Sequence, residues 1–330
     1  LPFALIAFAC GGSQPEAAPP PAPPPVEAPV AAAPTPPPAA PPAETAKTPP
    51  PPAEPTPPPS AWRLADGIMT PESVLYDAAA DRYLVSNING STTGVDNNGY
   101  ITEISGDGKV IKPKLIEGGA GKTKLDAPKG LGLSGNVLYV SDITVVRKFD
   151  AKTGAAKGEI PIKDSTFLND ISVAADGRVF VSDSGLKEKA GGGFEPTGTD
   201  AVYVIDKAGK VKPLAKNKDL NGPNGILSTD KGVLVVTFGS DEVYRLNAEG
   251  AKEQATKLPA GGLDGLLQVG DSLFISSWKA SAVFKGTLGG KFEPVLSGVK
   301  GPADIGFDSK RSRIVVPRFM DNAVEAYDVK

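Results

Sequence analysis

The chain has 330 residues with 35 basic and 38 acidic side chains, no histidine and one cysteine. A near-neutral balance with no Lys/Arg cluster argues against nucleic acid as a partner. One cysteine leaves no internal disulfide, so stability must come from core burial; no histidine removes Ser-His-Asp hydrolysis and any mechanism built on an imidazole.

Residues 1–10 end in the apolar run Leu5-Ile6-Ala7-Phe8-Ala9 followed by Cys10, too short to span a bilayer. The segment reads as the tail of a signal peptide. Cys10 then resembles the acylated cysteine of a bacterial lipoprotein, with ordinary cleavage after Ala9 as the alternative. Either reading expects an exported protein of the bacterial cell envelope, held on a membrane by a lipid anchor at Cys10 or else secreted. Residues 11–60 are mostly Pro and Ala. Such a composition lacks the apolar bulk to offset its ordering entropy and is expected to be a disordered spacer with polyproline-II character. At about 3.1 Å per residue it could reach on the order of 150 Å.

From residue 61 to 330 one unit recurs. Its openings are Pro71-Glu72-Ser73-Val74, Pro128-Lys129-Gly130-Leu131, Leu168-Asn169-Asp170-Ile171, Pro223-Asn224-Gly225-Ile226, Leu263-Asp264-Gly265-Leu266 and Pro302-Ala303-Asp304-Ile305. A second β-rich run follows each opening, as in Tyr83 to Ser86 and Val233 to Thr237. A period of about 40 residues means stacked units that cannot bury their faces alone. Six units of four short strands predict an all-β fold, a six-bladed β-propeller of four-stranded antiparallel blades. The last copy has only three strands and Trp62 to Ala65 is spare. The N-terminal strand is therefore expected to close the ring on the last blade, removing an exposed edge. Two polar insertions, Asn87 to Gly99 and Ser184 to Asp200, follow second strands; the first is the stronger candidate for a pocket wall.

In a propeller the second residues of the openings face the central channel. They are Glu72, Lys129, Asn169, Asn224, Asp264 and Ala303. Four of the six carry oxygen donors, and carboxylate and carboxamide oxygens without Cys or His suit one hard divalent cation. Ca²⁺ fits first, with Mg²⁺, Mn²⁺ or Zn²⁺ as alternatives. A wet channel lined by polar residues for solubility is the competing reading. Gly118 to Thr123 does not make a nucleotide-binding loop. Ile116 stands where the first glycine belongs, and the stretch links two blades.

The motifs Pro71-Glu72, Asn169-Asp170, Pro223-Asn224-Gly225 and Asp264-Gly265, in that order, resemble the senescence-marker-protein/gluconolactonase family, which includes regucalcin and is similar to diisopropylfluorophosphatase. The resemblance covers the repeat region and none of the spacer. It implies one axial divalent cation and hydrolysis of a lactone or ester. Glu72, Asn224 and Asp264 would be metal ligands, Asn169 a ligand or substrate-orienting amide, and Asp264 the base or nucleophile. Lactonase members usually carry an Arg two residues before the middle Asn; here Phe167 stands there. That departure disfavours an anionic sugar acid. Lys129 is either a substitute anion contact or a rim lysine, and Trp278 either a pocket wall or inter-blade packing. The expected partner is a small-molecule lactone or ester. The alternative is a non-catalytic propeller that binds a small ligand or a cell-envelope protein.

Overall fold

A computed structural model describes residues 56–329. The expectations for residues 1–10, including Cys10, and for most of the spacer lie outside the described residues. Among the described residues no helix is long and apolar enough to cross a membrane.

Six four-stranded antiparallel sheets form the propeller. Blade one comprises β2 (Pro71–Asp77), β3 (Arg82–Asn87), β4 (Tyr100–Ser105) and β5 (Val110–Glu117). Blade two comprises β6 (Pro128–Ser134), β7 (Val137–Asp142), β8 (Val145–Asp150) and β9 (Ala156–Pro161). Blade three is built from β10 (Leu168–Val173), β11 (Val179–Asp183), β14 (Ala201–Ile205) and β15 (Val211–Lys216). Blade four has β16 (Pro223–Thr229), β17 (Gly232–Thr237), β18 (Glu242–Leu246) and β19 (Lys252–Lys257). Blade five has β20 (Leu263–Val269), β21 (Ser272–Ser277), β22 (Ala282–Gly286) and β23 (Phe292–Ser297). Blade six has β24 (Gly306–Asp308), β25 (Arg313–Arg318) and β26 (Ala323–Asp328), and its fourth strand is β1 (Trp62–Leu64). The register Trp62↔Ala326, Arg63↔Glu325, Leu64↔Val324 closes the ring as the spare strand predicts.

The core lies between blades rather than within one. Leu84, Ile101 and Leu131, Leu138 fill the gap between blades one and two. Val74, Tyr83 and Val315, Val324 fill the gap between blades one and six. Inner strands are buried on both faces: all six residues of β3 are buried, whereas the outer β5 begins with five exposed ones. Each blade therefore depends on its neighbours.

Five of the six openings are bulges. Pairing of first with second strand slips between Pro71 and Val74, Pro128 and Leu131, Leu168 and Ile171, Pro223 and Ile226, and Leu263 and Leu266. A bulge leaves residues unpaired and re-aims their side chains. The third opening position sits against the next blade. A Cβ on Gly225 would lie 2.1 Å from Asp264 O, and one on Gly265 would lie 2.4 Å from Ile305 N. Glycine there lets the backbones approach closely near the axis.

The insertion after β11 is not a plain loop. It folds as a hairpin of its own, β12 (Leu186–Glu188) paired with β13 (Phe194–Pro196), outside the blade sheets. Its three consecutive glycines and adjacent lysines carry no alternation to reveal strands in advance.

Candidate active site

At one end of the axis Glu72, Lys129, Asn169, Asn224 and Asp264 line a single pocket. All five are buried, each supplied by the bulge of a different blade. Ala303, the sixth equivalent, is buried but does not line it.

Serines at the ends of second strands fix the bulges. Ser182 Oγ accepts from Asp170 N at 2.9 Å and donates to Asn224 O at 2.7 Å. Ser276 Oγ accepts from Gly265 N at 2.7 Å and donates to Ala303 O at 2.8 Å. Ser141 Oγ donates to Asn169 O. Each hydroxyl thus joins two blades at the carbonyl of an axial residue.

Three oxygens in the pocket are buried without a hydrogen-bond partner: Glu72 Oε2, Asn224 Oδ1 and Asp264 Oδ1. Leaving a buried polar atom unpaired costs about 1–3 kcal/mol each, so three on one pocket point to a missing counterpart. Asn169 donates from Nδ2 to Ser184 Oγ at 3.1 Å, and the Ser184 hydrogen goes to Pro223 O at 2.8 Å. That chain commits the amide nitrogen and leaves the Asn169 carbonyl oxygen as the free end. The donor set is two carboxylates and two carboxamides, all oxygen, which matches a hard divalent cation. Among the described residues no three Asp, Glu, His or Cys side chains gather as a ligand group; half of this quartet is amide.

The electrostatics agree with that fit. Burial, then the charges of Asp264 and Asp304, push the Glu72 carboxyl well above the usual carboxylate range. Burial and Asp304 likewise raise Asp264, against a hydrogen bond from Trp278. Two such buried carboxyls would ionise together only with positive charge beside them. Lys129 faces the same pocket and is itself pushed down to about 8 by burial, which the charges of Glu72, Asp142 and Glu188 oppose. It is not a rim lysine: its Nζ donates to Thr92 O at 2.8 Å and Ala127 O at 3.1 Å and lies 4.5 Å from the Phe167 ring centroid.

Trp278 and Phe167 both line the pocket, and Trp278 Nε1 donates to Asp264 Oδ2 at 2.6 Å. Both insertions contribute to the wall, Ile88 and Thr92 from the first and Leu186 and Phe194 from the second. The expectation that the first outweighs the second is not met, because the β12–β13 hairpin brings an aromatic ring to the pocket. Glu188 on that hairpin accepts from Thr92 N at 2.8 Å and Thr92 Oγ1 at 2.6 Å, and from Ser91 Oγ. It ties one insertion to the other.

Solved structures share this architecture. A gluconolactonase from Xanthomonas campestris superposes with a TM-score of 0.60 at 18% identity, over 81% of this chain and 87% of that one. A putative gluconolactonase gives 0.58 at 20%, over 80% and 90%. A virginiamycin B lyase from Staphylococcus aureus, solved with quinupristin, gives 0.53 at 15%, over 82% and 98%. The chain has a gluconolactonase-like propeller fold. No family model and no curated protein matches it.

Phe238 and Phe319 also line the pocket, and the openings do not point to them. Each is the first residue after the second strand of its blade, as are Ile88 and Trp278, and all four line the pocket. The signal was a second equivalent position in the repeat, one strand further on.

Proposed function

We propose that the protein is a metal-dependent hydrolase of a lactone or ester. The observation that carries this reading is the set of unpartnered buried oxygens of Glu72, Asn224 and Asp264 on one axial pocket. The gluconolactonases among the structures of the same fold support the reaction class; at such low identity they carry no residue role.

Glu72, Asn169, Asn224 and Asp264 would hold one divalent cation, Ca²⁺ by the hardness of the donors. When bound, it would act as a Lewis acid on the carbonyl and favour ionisation of a nearby water. Asp264 is the base of choice. Its unpartnered Oδ1 would face the cation, and Trp278 orients its Oδ2, whose second lone pair is left for the proton. Asp264 takes the proton as water oxygen adds to the carbonyl carbon, and returns it to the leaving oxygen as the C–O bond breaks. The product is a hydroxy acid from a lactone, or an acid and an alcohol from an ester. The second Nδ2 hydrogen of Asn169, the one not given to Ser184, orients the carbonyl, and Lys129 supplies positive charge beside the developing oxyanion.

For placement, we propose export and a lipid tether at Cys10, on the run before it. Mass spectrometry of the mature N-terminus decides this: an unacylated terminus rejects the tether.

Hydrolysis is tested by scanning lactones and aryl esters with and without Ca²⁺ or Mn²⁺. The expected result is metal-dependent turnover that falls at least about a thousandfold in Asp264→Ala and is strongly reduced in Glu72→Gln. A melting temperature raised by Ca²⁺ without turnover on any substrate would support a binding propeller instead. A melting temperature that neither metal nor chelator moves would reject the cation site.

A further inference from the structure

The pocket wall is chemically lopsided. Lys129 and Thr92 stand at one end, against Phe167, and from Phe167 onward runs a chain of aromatic rings drawn from blades three to six. Phe167 meets Phe194 edge-on at 5.6 Å and 85°. Phe194 meets Phe238 at 6.5 Å and 85°. Phe238 meets Trp278 at 5.6 Å and 82°, and Trp278 meets Phe319 at 5.1 Å and 53°. Five consecutive rings form an arc above the axial oxygens. Phe167 is buried, while the other four are only partly so. Aromatic surface left half-open around a pocket is a recognition surface for apolar groups. The arc offers one polar hydrogen, Trp278 Nε1, and Asp264 already accepts it. Nothing on that side can satisfy the hydroxyl groups of a sugar, and burying them unpaired would be costly.

The free space is about 40 Å³, when a water needs roughly 10–15 Å³ by the same measure. That is room for an ion and a water or two, not for a lactone ring, so a wall has to move. Four of the five rings are on residues directly next to blade strands. The fifth, Phe194, sits on the β12–β13 hairpin, which pairs with no blade strand. Positive-φ glycines flank the hairpin at Gly185 and Gly198 and lie in its turn at Gly191, Gly192 and Gly193. Glu188 fastens it to Ser91 and Thr92 through side-chain contacts that can open without breaking a blade ladder.

We infer that the substrate is a lactone or ester bearing an aryl or alkyl substituent, seated in the arc of Phe167, Phe194, Phe238, Trp278 and Phe319. The Phe194 hairpin is the movable wall that admits it and selects it over polyhydroxylated lactones. This rests on the hydrolytic reading for the reacting group, while recognition of the substituent is a separate property of the arc.

The test reads binding apart from turnover. The chain has two tryptophans, so Trp62→Phe leaves Trp278 as the only indole. That variant is loaded with Ca²⁺ and titrated, by Trp278 fluorescence, with two non-hydrolysable lactams, one phenyl-substituted and one polyhydroxylated. The phenyl lactam is expected to bind at least about tenfold more tightly. Adding Phe194→Ala should weaken the phenyl lactam by about tenfold while the Ca²⁺-induced rise in melting temperature persists, which shows that the fold and the axial oxygens are intact. Equal or tighter binding of the polyhydroxylated lactam, no binding of either, or no effect of Phe194→Ala overturns the inference. Binding of the phenyl lactam without turnover of any lactone defeats hydrolysis and leaves the arc standing. Turnover that favours polyhydroxylated lactones defeats the arc and leaves hydrolysis standing.

Discussion

Asp304 shows how much charge the axis tolerates. It occupies the third position of its opening, is buried, and accepts a hydrogen bond from Ser73 Oγ. Burial pushes its carboxyl up to about 7, and Ser73 opposes the rise. Asp170, at the same position of blade three, is pushed well up by burial and by Asp304. The folded chain thus holds the Asp304 proton more tightly than the unfolded chain, where a carboxyl titrates near 4. Stability from this group is complete below the unfolded value and is lost as pH rises through about 7. Asp304→Asn keeps an acceptor for Ser73 and removes the titration. In chelator, the variant should melt on the order of 5 °C above the parent at pH 8–9 and close to it at pH 5. Equal melting at both pH values would show that Asp304 is ionised at little cost in the native protein.

At the scale of elements, the bulged first strand and the serine after it act as a pair. The bulge aims the second residue of five openings at the axis, and a serine hydroxyl of the neighbouring blade holds the carbonyls of Asn169, Asn224 and Ala303. Ser182 makes both bonds, to Asp170 N and Asn224 O. Ser182→Ala should cost about 1–3 kcal/mol, since both backbone groups are buried and lose their partner. It should also weaken Ca²⁺ stabilisation, because Asn224 is then no longer held; urea unfolding with and without Ca²⁺ measures both, and an unchanged midpoint rejects the role. These elements also set what the sequence could reveal. The six openings were legible because each repeats Pro or Leu, a variable residue, a small or acidic residue and an aliphatic one. They gave the blades, the closing strand and the axial set of Glu72, Asn169, Asn224 and Asp264. The aromatic arc was not legible. Its members come from two different repeat positions and an insertion, and Phe194 reaches the pocket only because a glycine-rich stretch without apolar alternation folds back as a hairpin. Burial of Lys129 was likewise hidden, since it follows from Thr92 O and Ala127 O closing over its Nζ.

Among the described residues the propeller is a ring closed within blade six. Three of that blade's strands come from the C-terminal end and the fourth, β1, from the N-terminal side. The closure is more than backbone pairing. Arg63 pairs with Glu325, which also receives Arg318 Nη1 and the Tyr327 hydroxyl. Trp62 packs against Tyr83 of blade one with ring centroids 5.5 Å apart, and Tyr83 in turn donates its hydroxyl to Asp308 of blade six. One short strand therefore joins the two ends of the array and covers the β26 edge. Removing it would expose unpaired N–H and C=O groups along β26 and leave the apolar cluster around Val315, Val324 and Ala326 uncovered on one side. A chain that begins after Leu64 should melt on the order of 10 °C lower and run as larger species in size-exclusion chromatography through its open edge. A peptide spanning residues 58–67, added in excess, should restore much of the melting temperature by binding the folded form. If the shortened chain keeps both its melting temperature and its elution volume, packing between blades alone holds the ring, and β1 is dispensable.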